Sequence, residues 1–581
     1  MACNCYSISA SQDPISPSLG VTFFYTTCDL VFSSTTLDPF QSAYICSNGF
    51  PSAFPSDRGT IFGVDESFCG GCVTCSPTTP ATGTEISMGC VYGAFGLAPF
   101  PGANIGLNST LGVNRQPPQA LGVTAIAASA ETVLSADMGG LDTLNNYCCT
   151  PSSWFVSTWN TANTIVEGGS NSNQVRLPLK SSGTYNFIVE WGDGSSDTIT
   201  AWNQAATTHT YPSSGTYTIN IIGVCQGFAF QGSNTSDRAK ILSITSFGNV
   251  ILGDYPGVFE GCINLDLPSV LDTPDLSSMS SLSNMFKDCD NLSTINNINL
   301  WGVGTITNMS GMFNDALLFN QNLNNWNVGN VTNMAEMFRF AYNFNGDITN
   351  WNVSNVTNMS EMFYAGTFFG GTSSFNQPLN NWDVSSVTNM YAVFGGTTSF
   401  NQPLNNWDVS NVTNMAFMFA GSAFNQSIGN WDVSNVTDMN NMFWRNSTFN
   451  QSLNSWDVSS VTDMSAMFFA ALAFNQPLNS WNVSNVTNMA EMFRFATGFN
   501  QDIGGWNVSN VTNFLDFMRF KTNADYSTTN LNSIYNNWSL LTLNPNLNIN
   551  FGTIKYTSAG QAGRNILTGA PNNWTITDGG T

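Results

Sequence analysis

Nine tryptophans at positions 301, 326, 351, 382, 407, 431, 456, 481 and 506 divide the middle of this 581-residue chain into near-copies, seven of the eight gaps being 24 or 25 residues and the other 31. Phe400–Phe419 reads FNQPLNNWDVSNVTNMAFMF, and Phe474–Phe493 reads FNQPLNSWNVSNVTNMAEMF. A period of this length is the signature of a solenoid, each unit being one supersecondary coil. One unit holds too few apolar residues to enclose a core, so copies must stack and shield one another. The resulting rod has a long repetitive surface and no deep convergent cleft, which suits binding, spacing or assembly.

Within a coil the apolar pattern predicts which side chains turn inward. Phe400, Leu404, Trp407, Val409, Val412 and Met415 are expected inside, with Met418 and Phe419 closing the opposite wall on a short helical turn. Trp326, Trp351, Trp382, Trp407, Trp431, Trp456, Trp481 and Trp506 are thus structural residues. Short parallel strands are expected near WDVSNVTNM, stacked at about 4.8 Å per coil, so that nine or ten coils span roughly 45 to 50 Å.

The residue after each tryptophan is Asp383, Asp408, Asp432 and Asp457 in the middle coils but Asn327, Asn352, Asn482 and Asn507 toward both ends. Because Asn replaces Asp freely, the shared role is accepting a hydrogen bond. Four stacked carboxylates would also repel one another, which makes these aspartates candidate Ca2+ ligands. Asn411, Asn435, Asn485 and Asn510 lie in N-V-S/T sequons. They read either as glycan acceptors or as a ladder of amides bonded to neighbouring backbone; crowding at coil spacing favours the ladder.

Composition narrows the partners. Only 9% of residues are charged, against roughly a quarter in ordinary soluble domains, so Asn, Ser, Thr and Gln must wet the surface. Thirty-seven acidic residues face 14 basic ones with no basic cluster, which argues against nucleic acid, whose binding needs cationic charge. No apolar run reaches the roughly 18 residues of a membrane span. The opening MACNCYSISASQDP lacks the basic and apolar regions of a secretory signal. Thirteen cysteines leave at least one thiol unpaired within the chain, and ten of them, Cys3 to Cys149, precede the repeats. Extracellular-type disulfides, buried thiols and, through CGGCVTC at Cys69–Cys75, structural zinc all fit that distribution.

Composition shifts divide the chain into five parts. Residues 1–78 read as a small cysteine-rich β domain for attachment, and 79–150, rich in Pro, Gly and Ala, as a connector or adaptor. Residues 151–224 carry short alternating strands with a turn at Asp193-Gly194, the pattern of a β-sandwich. The coils occupy 225–520. In 521–581, Leu531, Ile534, Tyr535 and Trp538 fall at helical spacing, as in a terminal cap.

Three resemblances sharpen this. WGDGSSDTIT followed by HTYPSSGTYTINI resembles the immunoglobulin-like domain of polycystic-kidney-disease type. The FNQPLNNWDVSNVTNM…MF repeats resemble the BspA-like surface-protein family, kin of leucine-rich repeats, and together the two matches cover about 154–520. More weakly, TGTEISMGCVYGAFGL…ANIGLNSTLGV, within residues 80–150, is similar to adaptor segments of phage structural proteins. The fold they imply is mainly β with short helices: an immunoglobulin-like sandwich followed by a leucine-rich-repeat-like solenoid.

Arginines and aromatics, enriched in binding hot spots, follow the Met-Phe position at Arg339, Phe340, Tyr364, Trp444, Arg445, Arg494, Phe495, Arg519 and Phe520, with Tyr391 nearby. Of these Phe340, Tyr364, Tyr391, Trp444, Arg445, Arg494 and Phe495 are the candidate binding residues. The alternative is packing between coils. The single histidine, His209, excludes His-based metal motifs, and no P-loop, GxGxxG or G-x-S-x-G pattern appears.

The expectation is therefore a non-enzymatic, surface-exposed structural or adhesion protein. The first form is a phage or virus virion component (fibre, spike or decoration) at the virion surface. It would be attached to other virion structural proteins through its N-terminal region and directed at a host-surface glycan or protein. The second is a bacterial cell-surface adhesin of the BspA-like type, the usual role in that family. The third is a glycan-active enzyme with a binding solenoid. Homo-oligomerisation is one option, although no heptad region that would build a coiled-coil trimer is present.

Overall fold

The computed structural model describes residues 153–164, 168–231, 237–366 and 373–581, and the backbone of six strands between residues 4 and 64. It is mainly β, with few short helices. The contacts divide the chain into Met1–Phe155 and Val156–Thr581.

In the first unit, β1 (Asn4–Ala10), β4 (Ser42–Ser47) and β6 (Gly59–Val64) form one antiparallel sheet in the order β4-β1-β6. The strands β2 (Val21–Thr26), β3 (Phe32–Leu37) and β5 (Ser52–Phe54) form a second, β3-β2-β5. The expected strands in GVTFFYTT and QSAYICS are β2 and β4. The pairing of Cys3 to Cys149 and the connector 79–150 lie outside the described residues.

The second unit begins with a five-stranded sheet in the order β10-β9-β12-β7-β13. These strands are β7 (Phe155–Asn160), β9 (Leu179–Glu190), β10 (Ser196–Ile199), β12 (Thr216–Phe228) and β13 (Ile241–Ser246), while β8 (Gln174–Arg176) pairs with β11 (Thr208–Thr210). Every second residue of β7 and of the end of β9 is buried, the period-2 pattern of a sheet with one face on a core. Asp193 accepts hydrogen bonds from the amide and hydroxyl of Ser195, and its other oxygen lies 2.9 Å from His209 Nε2. The His209 ring stacks on Trp191 at 4.7 Å, and the Tyr211 hydroxyl donates to the Trp191 carbonyl. The WGDG and HTY segments therefore lock each other, and the one histidine is spent on that lock. Behind them a buried Asp237–Lys240 pair is fully hydrogen-bonded: Lys240 Nζ donates to the carbonyls of Ser170, Asn171 and Gln174.

The sheet does not end at residue 224. Strand β12 runs on to Phe228, and at Gln226 it bridges in parallel to Ile251, so one strand delivers the chain straight into the first coil. Ring contacts from Trp159 to Phe230 (5.8 Å) and Phe230 to Phe259 (6.4 Å) make the two interiors one.

From there each coil hydrogen-bonds to the next through parallel bridges, Asn308–Asn333–Asn358–Asn389–Asn414–Asp438–Asp463–Asn488–Asn513. Short strands were expected at this place; the bridges are single residues. The reason is the next turn, where two left-handed residues four apart, such as Glu336 (φ 59°) and Phe340 (φ 57°), interrupt extended backbone. The same two residues replace the expected helical turn at Met418 and Phe419, flanked by Phe417 (φ 58°) and Gly421 (φ 64°). Every second amide then points along the stack: Met334, Glu336, Phe338 and Phe340 donate to the carbonyls of Asn358, Ser360, Met362 and Tyr364. The amides between them, Met337, Arg339 and Ala341, close tight turns within their own coil. Left-handed Phe or Glu is costly in isolation; here it recurs coil after coil because it aims these bonds.

Inside, three aromatic columns run through the coils. The tryptophans are 2–4% exposed and adjacent rings stack, as at Trp431–Trp456 (6.5 Å). Phe286, Phe313, Phe338, Phe363, Phe394, Phe419, Phe443, Phe468 and Phe493 form the second column, with centroids 5.6 to 5.9 Å apart. Phe319 to Phe499 form the third. Within the tryptophan column each indole from Trp326 to Trp506 donates to a carbonyl of the preceding coil, for example Trp431 Nε1 to Leu404 O at 3.0 Å; Trp301, the first, has no acceptor.

The final segment continues the stack. Phe514 bridges in parallel to Ile549 in β14 (Asn548–Asn550), which pairs with β15 (Thr575–Thr577). Helix α1 (Thr528–Trp538) starts where the Ser527 hydroxyl accepts the Asn530 amide, and it buries Leu531, Ile534, Tyr535 and Trp538, the four expected residues. Helix α2 (Ser558–Thr568) packs on it through Gly563, where a Cβ would meet the Tyr535 carbonyl at 2.4 Å.

Candidate functional site

Polar side chains on most of the coil surface are tied up by the stack itself. Asn330, Asn355, Asn411, Asn435, Asn485 and Asn510 each donate from the side-chain amide to a carbonyl one coil earlier, at 2.7 to 2.8 Å. That is the ladder reading of the sequons. A column of threonines, from Thr307 to Thr512, does the same through Oγ1. The Oδ1 atoms of Asn345, Asn376, Asn401, Asn425, Asn450 and Asn475 each accept the amide of the equivalent Asn one coil later.

The residue after each tryptophan has the role expected of it. Asp383, Asp408, Asp432 and Asp457 accept the amide two residues on at 3.0 to 3.1 Å, and Asn352, Asn482 and Asn507 do so at 3.2 Å. The hydroxyl and amide of Ser385 hold the Asp383 carboxyl below its ordinary value, and Ser434 does the same for Asp432. All four aspartates are exposed in one column. Among the described residues no group of three or more His, Cys, Asp or Glu is arranged to hold a metal ion, so the structure does not bring these carboxylates together as a Ca2+ cage.

One wall differs. Its outward positions are the two left-handed columns, the column before the first of them and the column before the second. Between residues 241 and 527 the chain has six lysines and arginines; Lys287, Arg339, Arg445, Arg494 and Arg519 all stand on this wall, and the sixth, Lys521, is buried. Burial holds the Lys521 ammonium down at about 7, and it donates to the carbonyls of Ala496 and Phe499. The wall also gathers aromatics. Phe340 contacts Tyr364 (5.5 Å), Tyr391 contacts Phe417 (5.7 Å), Trp444 stacks on Phe469 (5.7 Å), Phe469 meets Phe495 edge-on (5.7 Å), and Phe495 stacks on Phe520 (4.3 Å).

Guanidinium groups lie over these rings: Arg339 over Phe340 at 4.1 Å, Arg445 over Trp444 at 4.4 Å, Arg494 over Phe520 at 5.3 Å and Arg519 over Phe520 at 4.6 Å. Carboxylates brace them, Glu361 to Arg339 at 2.6 Å and Asp516 to Arg519 at 2.9 Å. Toward the N-terminal coils the wall turns acidic. Burial and then the charge of Asp288 raise the carboxyl of Asp290, and the same two causes raise that of Asp315.

The structure thus places Phe340, Tyr364, Tyr391, Arg445, Arg494 and Phe495 on one wall, while Trp444, on the same wall, is 7% exposed and packs against Ala420 and Ala466. Packing between coils and exposure coexist here. Phe417, Phe469 and the 51%-exposed Leu515 belong to the wall as well and were not singled out in the sequence. Their signal was internal variation: at the position of Leu515 other coils carry Ala335, Ser360, Tyr391, Asn440 and Ser465, while the tryptophan position never changes.

Residues 255–369, 365–435 and 420–538 match the family described as "Mycoplasma protein of unknown function, DUF285". The matches span the coils and the first cap helix, just under half of the chain. No curated protein matches, and no solved structure does. Among the described residues no helix is long and apolar enough to cross a membrane. The coil region is thereby similar to a repeat family of unknown function.

Proposed function

We propose that this chain is a non-enzymatic, surface-exposed recognition protein. In this reading residues 151–246 are an immunoglobulin-like sandwich of polycystic-kidney-disease type, the coils are a leucine-rich-repeat-like solenoid, and the aromatic–arginine wall is the contact face. One observation carries the reading: Arg339, Arg445, Arg494 and Arg519, the arginines between residues 241 and 527, all stand on a single wall over aromatic rings, while other faces carry columns of side chains already bonded to neighbouring coils. Binding hot spots are enriched in just these residue types.

The ring geometry favours a protein over a glycan as the partner. Phe495 and Phe520 stack at 7° and 4.3 Å, and guanidinium groups cover them, so ring edges and arginine donors are offered rather than the open ring faces on which a sugar would stack.

Two settings fit. The resemblance of residues 80–150 to phage adaptor segments supports a virion fibre, spike or decoration protein attached through its N-terminal region. The resemblance of the repeats to the BspA-like surface-protein family supports a bacterial cell-surface adhesin. Labelling the native particle or cell with antibody against the coils separates them. The contact face is tested by binding the full chain to candidate host cells. Arg494→Ala with Phe495→Ala should cost at least about 2 kcal/mol, roughly 30-fold in affinity. The pair Asp408→Asn and Asp432→Asn on another face should change nothing. Equal effects from both pairs would remove the wall from the account.

A further inference from the structure

Three cysteines lie among the described residues, Cys225, Cys262 and Cys289, and all three are buried free thiols. Cys262 and Cys289 occupy the same position in two successive coils. Phe259 and Phe286, three residues before each, stack at 5.5 Å, and the amide of Gly261 donates to the carbonyl of Lys287 at 2.8 Å. The backbone makes the same turn at both cysteines, the amide of Cys262 closing onto Phe259 O and that of Cys289 onto Phe286 O.

The Cys289 thiol reaches back across the gap and donates to that same Phe259 carbonyl at 3.1 Å, so one oxygen holds both the Cys262 amide and the Cys289 sulfur. Stacked coils lie about 4.8 Å apart, inside the range of roughly 4.4 to 6.8 Å between Cα atoms that a disulfide spans.

From this geometry we infer that Cys262 and Cys289 are a disulfide site, a covalent clip between two neighbouring coils. Its place is informative. The indole ladder begins only after Trp301, whose own N–H has no acceptor, so the coils at 262 and 289 are joined by backbone amide bonds without the indole bond that later coils add. Further along, the same position is Ala316, Ala341, Ala471 and Ala496, where no clip could form.

In the folded chain both thiols are fully buried, and burial pushes both well above the ordinary thiol value, so the thiolate needed for exchange is scarce there. The bond therefore forms while these coils are still assembling. One thiolate attacks a small-molecule disulfide such as oxidised glutathione and releases one reduced thiol. The second cysteine then attacks the mixed disulfide and releases the other, so that two protein thiols are oxidised and one glutathione disulfide is reduced.

The test is to refold the full chain in a glutathione redox buffer, unfold it in guanidinium chloride with an alkylating agent and no reductant so that every free thiol is reached, digest it and map the peptides by mass spectrometry. The expected result is a Cys262–Cys289 linked pair, two hydrogens lighter than the separate peptides, with Cys289 becoming alkylated in Cys262→Ala. Alanine is native to this position in other coils, so that variant keeps the fold. Amide exchange over residues 259–292 should quicken on reduction of the wild type and stay unchanged on reduction of Cys262→Ala. Recovery of either cysteine alkylated in the refolded wild type, or linked to a different cysteine, would overturn the inference.

Discussion

Replacing a tryptophan with phenylalanine at two matched positions isolates the indole ladder. Trp431 and Trp301 are each 3% exposed, and each contacts three rings. For Trp431 these are Trp407 at 6.4 Å, Trp456 at 6.5 Å and Phe419 at 6.2 Å; for Trp301 they are Trp326 at 6.5 Å, Phe286 at 6.0 Å and Phe247 at 6.3 Å. The cavity left by the smaller ring is thus similar at both. They differ in one group, because Trp431 Nε1 donates to the Leu404 carbonyl at 3.0 Å whereas Trp301 Nε1 is buried without a partner. Trp431→Phe forfeits a hydrogen bond with a net value of about 1 kcal/mol, while Trp301→Phe removes an unsatisfied donor that costs about 1 kcal/mol or more. The two variants should then differ by about 2 kcal/mol, Trp431→Phe being the less stable. Guanidinium unfolding followed by far-UV circular dichroism measures both, read from midpoints at unchanged slope. Amide exchange should place the Trp431→Phe damage in coils 404–456 and leave the sheet of residues 155–246 protected, since each coil contacts only its neighbours. Equal losses, or a larger loss at Trp301, would refute a stabilising role for the indole bonds.

Three further expectations concern single residues. Burial depresses the Lys521 value from 10.5 to about 7, so its contribution is present in full above 10.5 and lost as pH falls toward 7; stability should rise across that window, and Lys521→Met should flatten the rise in melts taken from pH 6 to 10. Asp408→Asn should leave stability unchanged, whereas Asp408→Ala should cost roughly 0.5 to 1.5 kcal/mol by thermal melting, because the shared task is accepting the Ser410 amide. Gly563→Ala should lower the melting temperature, since the added Cβ would meet the Tyr535 carbonyl at 2.4 Å and push α2 off α1; an unchanged melt would show that the helices yield.

Much of this architecture was legible in the chain. The tryptophan spacing gave the stack, the apolar pattern gave the inward residues, and Leu531, Ile534, Tyr535 and Trp538 gave the cap helix, because burial imposes periodicity that single side chains report. The exchange of Asp408 for Asn482 revealed a hydrogen-bond acceptor before any geometry was known. The left-handed residues were not legible. Phe340, Arg445 and Ala470 are not residue types that signal positive φ, and only the bonds to the next coil hold them there. The end of the sheet was missed for a related reason: β12 is one uninterrupted strand across residue 224, with no turn residue to mark where the sheet hands over to the coils. On the wall, arginine-next-to-aromatic pairs were visible, but Phe417 and Phe469 look in sequence like extra core residues. Only the fold shows that they face outward beside Tyr391 and Phe495.

The central claim is that the tryptophan-marked segments form one stack with a shared interior continuous with the preceding sheet. A crystal structure of the full chain tests it most directly. The account predicts the Trp407, Trp431 and Trp456 rings in register about 6.4 Å apart, with Phe230 packed between Trp159 and Phe259. Segments folded as separate units, with those indoles facing solvent or unrelated neighbours, would contradict it.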